Sequence, residues 1–152
     1  MPEIGDPAPY FQGTTQEGTS ISLDDYKGKR LALYFYPRDN TPGCTKQACN
    51  LRDNYTILME NGVAILGVSD DPVEKHKKFA GKFDLPFPLL ADTQKTTLNA
   101  YGVYGEKKLY GRTYFGTIRQ TFLIDESGLI KHIIKKPKVG AHAEEILKAF
   151  AE

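Results

Sequence analysis

The chain has 152 residues, with 20 Lys plus Arg against 19 Asp plus Glu, a formal charge of +1 with neutral histidines. Hydrophobic residues make up 40% and charged residues 26%, the balance of one globular domain over residues 1–152, with no strongly basic surface for nucleic acid. The longest apolar run, Leu31 to Tyr36, is far short of the roughly 20 residues of a membrane span; the opening Met1-Pro2-Glu3-Ile4-Gly5-Asp6 lacks the basic flank and apolar stretch of a secretory signal.

Gly5-Asp6-Pro7-Ala8-Pro9 reads as a stiff extended lead, and Gly13 and Gly18 punctuate an N-terminal hairpin. Leu31 to Tyr36 is continuously apolar, the habit of a strand buried on both faces. Thr41 as N-cap and Pro42 at the first helical position open a helix that is expected to run to about Asn61, before Gly62. Val63 to Val68 is a second buried strand, and Pro72 to Asp84 an amphipathic helix. Phe87 to Leu90 is a short apolar run and Gln94 to Tyr101 a weak helix. Gly102 to Gly116, rich in Gly and Tyr without a clear period, reads as a loop, and Tyr101, Tyr104, Tyr110 and Tyr114 read as half-buried packing. Ile118 to Asp125 and Leu129 to Lys135 form a hairpin around Glu126-Ser127-Gly128, and Ala141 to Ala151 is a closing helix. The order β-α-β, then helices, a hairpin and a helix, gives an α/β fold: a mixed central sheet flanked by helices, in a thioredoxin-like arrangement extended at the N-terminus. Lys131, His132, Lys135, Lys136 and Lys138 fit the solvated face of an edge strand better than a binding patch.

The chain has two cysteines, Cys44 and Cys49, too few for a disulfide scaffold. In a cytoplasmic protein, the default location here, such a pair is more often catalytic, redox-sensing or metal-binding. Cys44 falls at the third position of its helix, in the first turn, where backbone N–H groups lack helical partners and the helix dipole is positive. That environment favours a thiolate, the reactive form of cysteine. Gly43 leaves the backbone uncovered beside the sulfur for a small substrate, and Thr41 offers a hydroxyl for the helix amides or a bound oxygen. The alternative is that Cys44 is a small buried hydrophobe.

Residues 44, 48, 51, 55 and 58 share an inward helix face, which places Cys49 on the polar, outward side. Five residues of helix advance about 7.5 Å and turn about 140°, putting the two Cα atoms roughly 8.7 Å apart. A disulfide does not bridge Cα atoms more than about 7 Å apart without backbone movement. The pair is therefore either never bonded or bonded only after the helix unwinds. No second cysteine pair accompanies it, and His76, His132 and His142 lack ligand spacing, so zinc is disfavoured and no cofactor is expected. Arg119, at the opening of a strand, is either a solvated surface residue or a cation that stabilises a thiolate and donates to oxygen.

Pro37-x3-Thr41-x2-Cys44 resembles the active-site signature of the peroxiredoxins, and the longer run Phe35 to Thr45, with Ala48-Cys49 and Arg52-Asp53, is similar to the Q-type, or bacterioferritin comigratory protein, subfamily. Gly5 to Pro9, Gly67-Val68-Ser69, Tyr101 to Lys107 and Arg119 to Asp125 also fit, so the likeness spans essentially the whole chain. The resemblance implies a thioredoxin-like fold and a thiol peroxidase acting on hydrogen peroxide and organic hydroperoxides. It makes Cys44 the peroxidatic cysteine and Cys49 the resolving cysteine of an intramolecular disulfide reduced by thioredoxin. It gives Thr41 and Arg119 the orientation of peroxide and thiolate, and Pro37 the shielding of the site. It implies a monomer, with a weak dimer as the alternative. Residues 106–117 receive no role from it. On the residues alone, a dithiol oxidoreductase of the same fold and an interaction module without redox activity remain rivals; the first should carry C-x-x-C, the second an ordinary thiol slow toward peroxide.

Overall fold

The structure, a computed structural model, describes residues 1–152. Strands β1 (Gln12–Thr15) and β2 (Ser20–Ser22) form the N-terminal hairpin, and a short 3-10 turn, Leu23–Tyr26, leads to β3 (Arg30–Phe35). Helices α1 (Pro42–Asp53) and α2 (Tyr55–Glu60) cross to β4 (Val63–Ser69); α3 (Val73–Phe83) crosses to β5 (Leu89–Ala91). Helix α4 (Thr96–Ala100), strands β6 (Tyr104–Leu109) and β7 (Arg112–Thr117), strands β8 (Gln120–Ile124) and β9 (Ile130–Ile134), and helix α5 (His142–Ala151) complete the chain.

One seven-stranded sheet runs β2-β1-β5-β4-β3-β8-β9, with β3, β4 and β5 mutually parallel and the outer strands antiparallel. This is the expected thioredoxin-like arrangement, with β1 and β2 added at one edge and β9, bearing Lys131 and His132, at the other. Strand β3 explains the continuous apolar run: Ala32 and Tyr34 face one core with Tyr36, while Leu31, Leu33 and Phe35 face a second. The first core lies under α1, α2, α3 and α5 and contains Cys44, Leu51, Phe79 and Ile146. The second, with Leu98, Tyr101 and Phe122, lies across the sheet under α4.

Two expectations are corrected. The helix predicted to reach Asn61 breaks at Asn54, whose side chain donates to the Asn50 carbonyl at 2.8 Å and so competes with the helical ladder. The loop predicted over Gly102 to Gly116 contains the β6–β7 hairpin, a separate two-stranded sheet. Its two-residue turn, Tyr110-Gly111, has φ values of 50° and 75°, the doubly left-handed geometry of a type I′ turn. Tyrosine in place of Asn or Asp hides that signal in the sequence. Nor are the tyrosines uniformly half-buried: Tyr101 is fully buried, while Tyr110 projects from the turn with 96% exposure.

Helix α5 is tied to the sheet and to α1. His142, fully buried, lies 2.8 Å through Nε2 from the Thr121 hydroxyl and 3.0 Å through Nδ1 from Glu145. Asn50 of α1 accepts from the Ala143 amide at 2.8 Å and donates to the Gly140 carbonyl at 3.1 Å, capping α5, whose own N-cap, Ala141, has no capping side chain. Burial pushes His142 below the ordinary histidine pKa, against the opposing pull of Glu145. The unfolded chain, with a histidine pKa of about 6.5, then takes up the proton first. This contribution to stability is full above that pH and declines as the pH falls toward the depressed folded value. Urea midpoints at pH 7.5 and 5.5 are expected to show a larger acid loss for the parent than for His142→Gln; equal losses would exclude the effect.

Candidate active site

The chain leaves β3 at the sheet's C-terminal edge, turns through Pro37 to Asn40 and enters α1 at Pro42. A buried network holds this turn. Asp39 accepts from the Tyr36 hydroxyl, pairs with His76 Nδ1 at 2.6 Å and donates its backbone N–H to Asp71 at 2.8 Å. Ser69 donates to the same Asp71 oxygen, and His76 Nε2 lies 3.0 Å from the Leu90 carbonyl. The pinned Asp39 is followed by Asn40 at φ 62°, a left-handed residue that swings the chain into the helix. Asp39, Asp71 and His76 bring ligand-type atoms within 4.8 Å of one another. Those atoms are already engaged in these hydrogen bonds, which makes the cluster an anchor for the turn.

Pro42, Gly43 and Cys44 occupy the first three helical positions, as the sequence implies. Cys44 is buried, 2% exposed, and both cysteines are free. Arg119, one residue ahead of β8, donates from Nη2 to Cys44 Sγ at 3.2 Å. Its Nη1 donates to Gln47 Oε1. A fully buried glutamine one turn after the cysteine thus orients the guanidinium that reaches the sulfur. Gly43 allows this approach: a Cβ there would stand 3.3 Å from Arg119 Nη2. A hydrogen bond donated by a guanidinium is strongest when its acceptor carries negative charge.

The other anticipated residues are nearby. Thr41 stands at the N-cap, but its hydroxyl donates to the Arg38 carbonyl at 2.9 Å and does not cap the helix, which corrects the capping expectation and leaves the first-turn amides free. Pro37 and Thr41 line a cleft of about 540 Å³ whose opposite wall is the β6–β7 hairpin, with Lys107, Tyr114 and Phe115. Cys44 does not itself line that cleft. Cys49 lies off the buried face of α1 that holds Cys44, Gln47, Ala48 and Leu51 and is half-buried; on the same flank Arg52 donates to the Phe83 carbonyl at 2.8 Å.

Three neighbours escaped the sequence reading. Gln47 was detectable in principle, since it lies three residues after Cys44 on the same face. Tyr34 was assigned only to the strand core; its buried hydroxyl has no hydrogen-bond partner, and burial first, then the nearby Cys44, raises its pKa. Lys107 reaches the site by way of a hairpin that the sequence did not disclose. Burial and then Arg119 lower its pKa, while Cys44 acts in the opposite sense.

The profile of the AhpC/TSA family matches residues 4–133. A putative peroxiredoxin bcp of Coxiella burnetii is 48% identical over 145 residues, covering 95% of this chain and 96% of the relative. Among solved structures, PrxQ of Xylella fastidiosa superposes with a TM-score of 0.91 at 34% identity over 99% of this chain and 98% of that one. The bacterioferritin comigratory protein of Xanthomonas campestris, described for its alkyl peroxide reduction activity, gives 0.87 at 34% identity over 93% and 90%. With a helix-start cysteine under an arginine in a thioredoxin-like sheet, these likenesses show that the chain belongs to the AhpC/TSA family, as a peroxiredoxin of the Q or Bcp kind and a thiol-dependent peroxidase.

Proposed function

We propose that Cys44 is the peroxide-reactive thiol and Cys49 its resolving partner. The Cys44 sulfur attacks one peroxide oxygen, the O–O bond breaks, and the second oxygen leaves as water or alcohol. Cys44 becomes a sulfenic acid. Arg119 and the first-turn amides beside Gly43 receive the charge that develops on the oxygens, the Thr41 oxygen, its own proton given to the Arg38 carbonyl, orients the peroxide by accepting from its O–H, and Pro37 screens the reacting sulfur. The Cys49 sulfur then attacks Cys44, water departs and a disulfide forms, which an external dithiol reopens by exchange. The observation that carries this reading is the Arg119 Nη2–Cys44 Sγ contact of 3.2 Å in the first turn of α1.

Hydrogen peroxide and organic hydroperoxides are the substrates, and a thioredoxin-like protein is the reductant, in keeping with the family. The chain acts as one domain and as a monomer in the cytoplasm, where reducing conditions hold the cysteine pair ready. No helix is long and apolar enough to cross a membrane. The test is a stopped-flow titration with hydrogen peroxide and an alkyl hydroperoxide, followed by mass spectrometry of the cysteines. One peroxide consumed per chain and a Cys44–Cys49 linkage are expected; an unlinked pair after oxidation would refute the resolving role.

Arg119→Met tests the charge-stabilising role. Loss of one preorganised donor at a developing oxyanion typically costs about 100–1000-fold in rate. A slowing of that order is expected in the second-order rate of Cys44 oxidation. Arg119→Lys is expected to recover only part of the loss, because a single ammonium does not reproduce the fork that serves both Gln47 and Cys44. A parental rate in the methionine variant would remove Arg119 from the chemistry.

A further inference from the structure

Cleaving a peroxide expels hydroxide or alkoxide, strong bases that leave fastest when protonated as they form. Few groups around Cys44 can supply that proton. Arg119 does not give up its own. The Thr41 hydroxyl is directed at the Arg38 carbonyl. Tyr34 is sealed in the core, and burial makes its hydroxyl a weaker acid. His76 is enclosed between Asp39 and the Leu90 carbonyl, and His142 between Thr121 and Glu145.

Lys107 differs from all of these. It lines the cleft opposite Pro37 and Thr41. Its stem runs beside Gly116, where a Cβ would stand 3.4 Å from Lys107 Cδ. Its ammonium lies 6.0 Å from the Tyr114 ring centre and donates to the Thr117 carbonyl at 2.9 Å. An ammonium has three N–H groups, so two remain for a ligand. The other charged groups on the cleft wall are Arg38 and Asp70, and Asp70 faces Lys95 at 3.7 Å. Lys107 therefore stands without an ion pair, half-buried, tied to Thr117 two residues before the arginine that reaches Cys44 and across the cleft from the Pro37–Thr41 turn that leads to it.

We propose that Lys107 is the general acid of the peroxidase step, handing a proton from Nζ to the oxygen that departs from Cys44. The inference rests on the reading that Cys44 is the reactive thiol. The sulfur forms a bond to one oxygen as the O–O bond breaks, and its electron pair goes to the other oxygen. Sulfur is oxidised to the sulfenic acid, the peroxide is reduced, and the Nζ proton turns the departing alkoxide or hydroxide into alcohol or water. The amine then regains a proton from water through the open cleft.

The test varies the leaving group. Cys44 oxidation is followed by stopped-flow in the parent, Lys107→Met and Lys107→Arg, using hydrogen peroxide, tert-butyl hydroperoxide and peracetic acid. Acetate is a weak base and leaves without an acid's help; hydroxide and tert-butoxide do not. Both variants are expected to lose about 100-fold or more with the first two oxidants and to stay within about threefold of the parent with peracetic acid. Arginine keeps the charge and a donor for Thr117 but not a transferable proton, so it separates proton delivery from positioning. Equal slowing with all three oxidants, or a parental rate in Lys107→Arg, would overturn the proposal while leaving Cys44 as the nucleophile. A parent whose Cys44 reacts with none of the three would overturn the site reading itself, and this inference with it.

Discussion

Cys44→Ser is expected to reduce peroxide consumption to the uncatalysed background. Serine keeps an oxygen acceptor near Arg119 Nη2, now 3.2 Å from the sulfur, so the guanidinium is not left without a partner and Gln47 retains its bond. The buried site is filled by a side chain of similar shape, and α1 keeps its inward face of Ala48 and Leu51. What disappears is the nucleophile: a hydroxyl without an adjacent general base is too weak an acid to supply one. Neither buried histidine contacts residue 44, since His76 is held by Asp39 and Leu90 and His142 by Thr121 and Glu145. Peroxide uptake in the variant, together with circular dichroism to confirm its fold, checks this. Consumption at more than the background rate would move the reaction to Cys49 or away from the cysteines.

The sequence disclosed the parts of this site that depend on short-range rules. The position of Cys44 follows from a buried strand, a proline-marked turn and a helix start with Pro42 at its first position, all within fifteen residues. The inward helix face, Cys44, Ala48, Leu51 and Leu58, follows from helical spacing alone. Arg119 is different: the residues alone left it open between a surface cation and a thiolate partner, because its contact with Cys44 spans 75 positions and depends on the antiparallel pairing of β3 with β8. Lys107 was hidden for a further reason. The β6–β7 hairpin has almost no buried residues, so its alternation carries no hydrophobic signal, and its turn uses Tyr110 at a positive φ. Asp39 and His76 read separately as a loop acid and a helix histidine; their pairing needs β4 and α3 to bring them together 37 positions apart.

Cys49→Ser is expected to consume one equivalent of peroxide at the parental rate and then to lose thioredoxin-driven turnover. The first step is preserved because Cys49 makes no hydrogen bond to Cys44, Arg119 or Gln47, and the 3.2 Å contact at Cys44 is independent of it. The second step fails for want of a thiol. In the wound helix the two Cα atoms stand roughly 8.7 Å apart, beyond the reach of a disulfide, so resolution requires α1 to open. The contacts beyond Cys49 mark where that opening stops. Asn50 is bonded to Gly140 and Ala143, Leu51 is fully buried and Arg52 holds the Phe83 carbonyl, which confines the opening to residues 42–49, where it must unpack Ala48 and release Gln47 from Arg119. Opening also gives partners to two polar groups under the helix that have none when it is wound, the Tyr34 hydroxyl and Gln47 Nε2. A buried unsatisfied group costs about 1–3 kcal/mol, so this relief offsets part of the lost packing of Cys44 and Ala48. Without Cys49 the sulfenic acid persists, and excess peroxide carries it to sulfinic acid, a gain of two oxygens readable by mass spectrometry. NADPH oxidation coupled through thioredoxin reductase and thioredoxin measures the turnover. A Cys49→Ser protein that cycles at the parental rate would show that the reductant attacks Cys44 directly, and that α1 never needs to open.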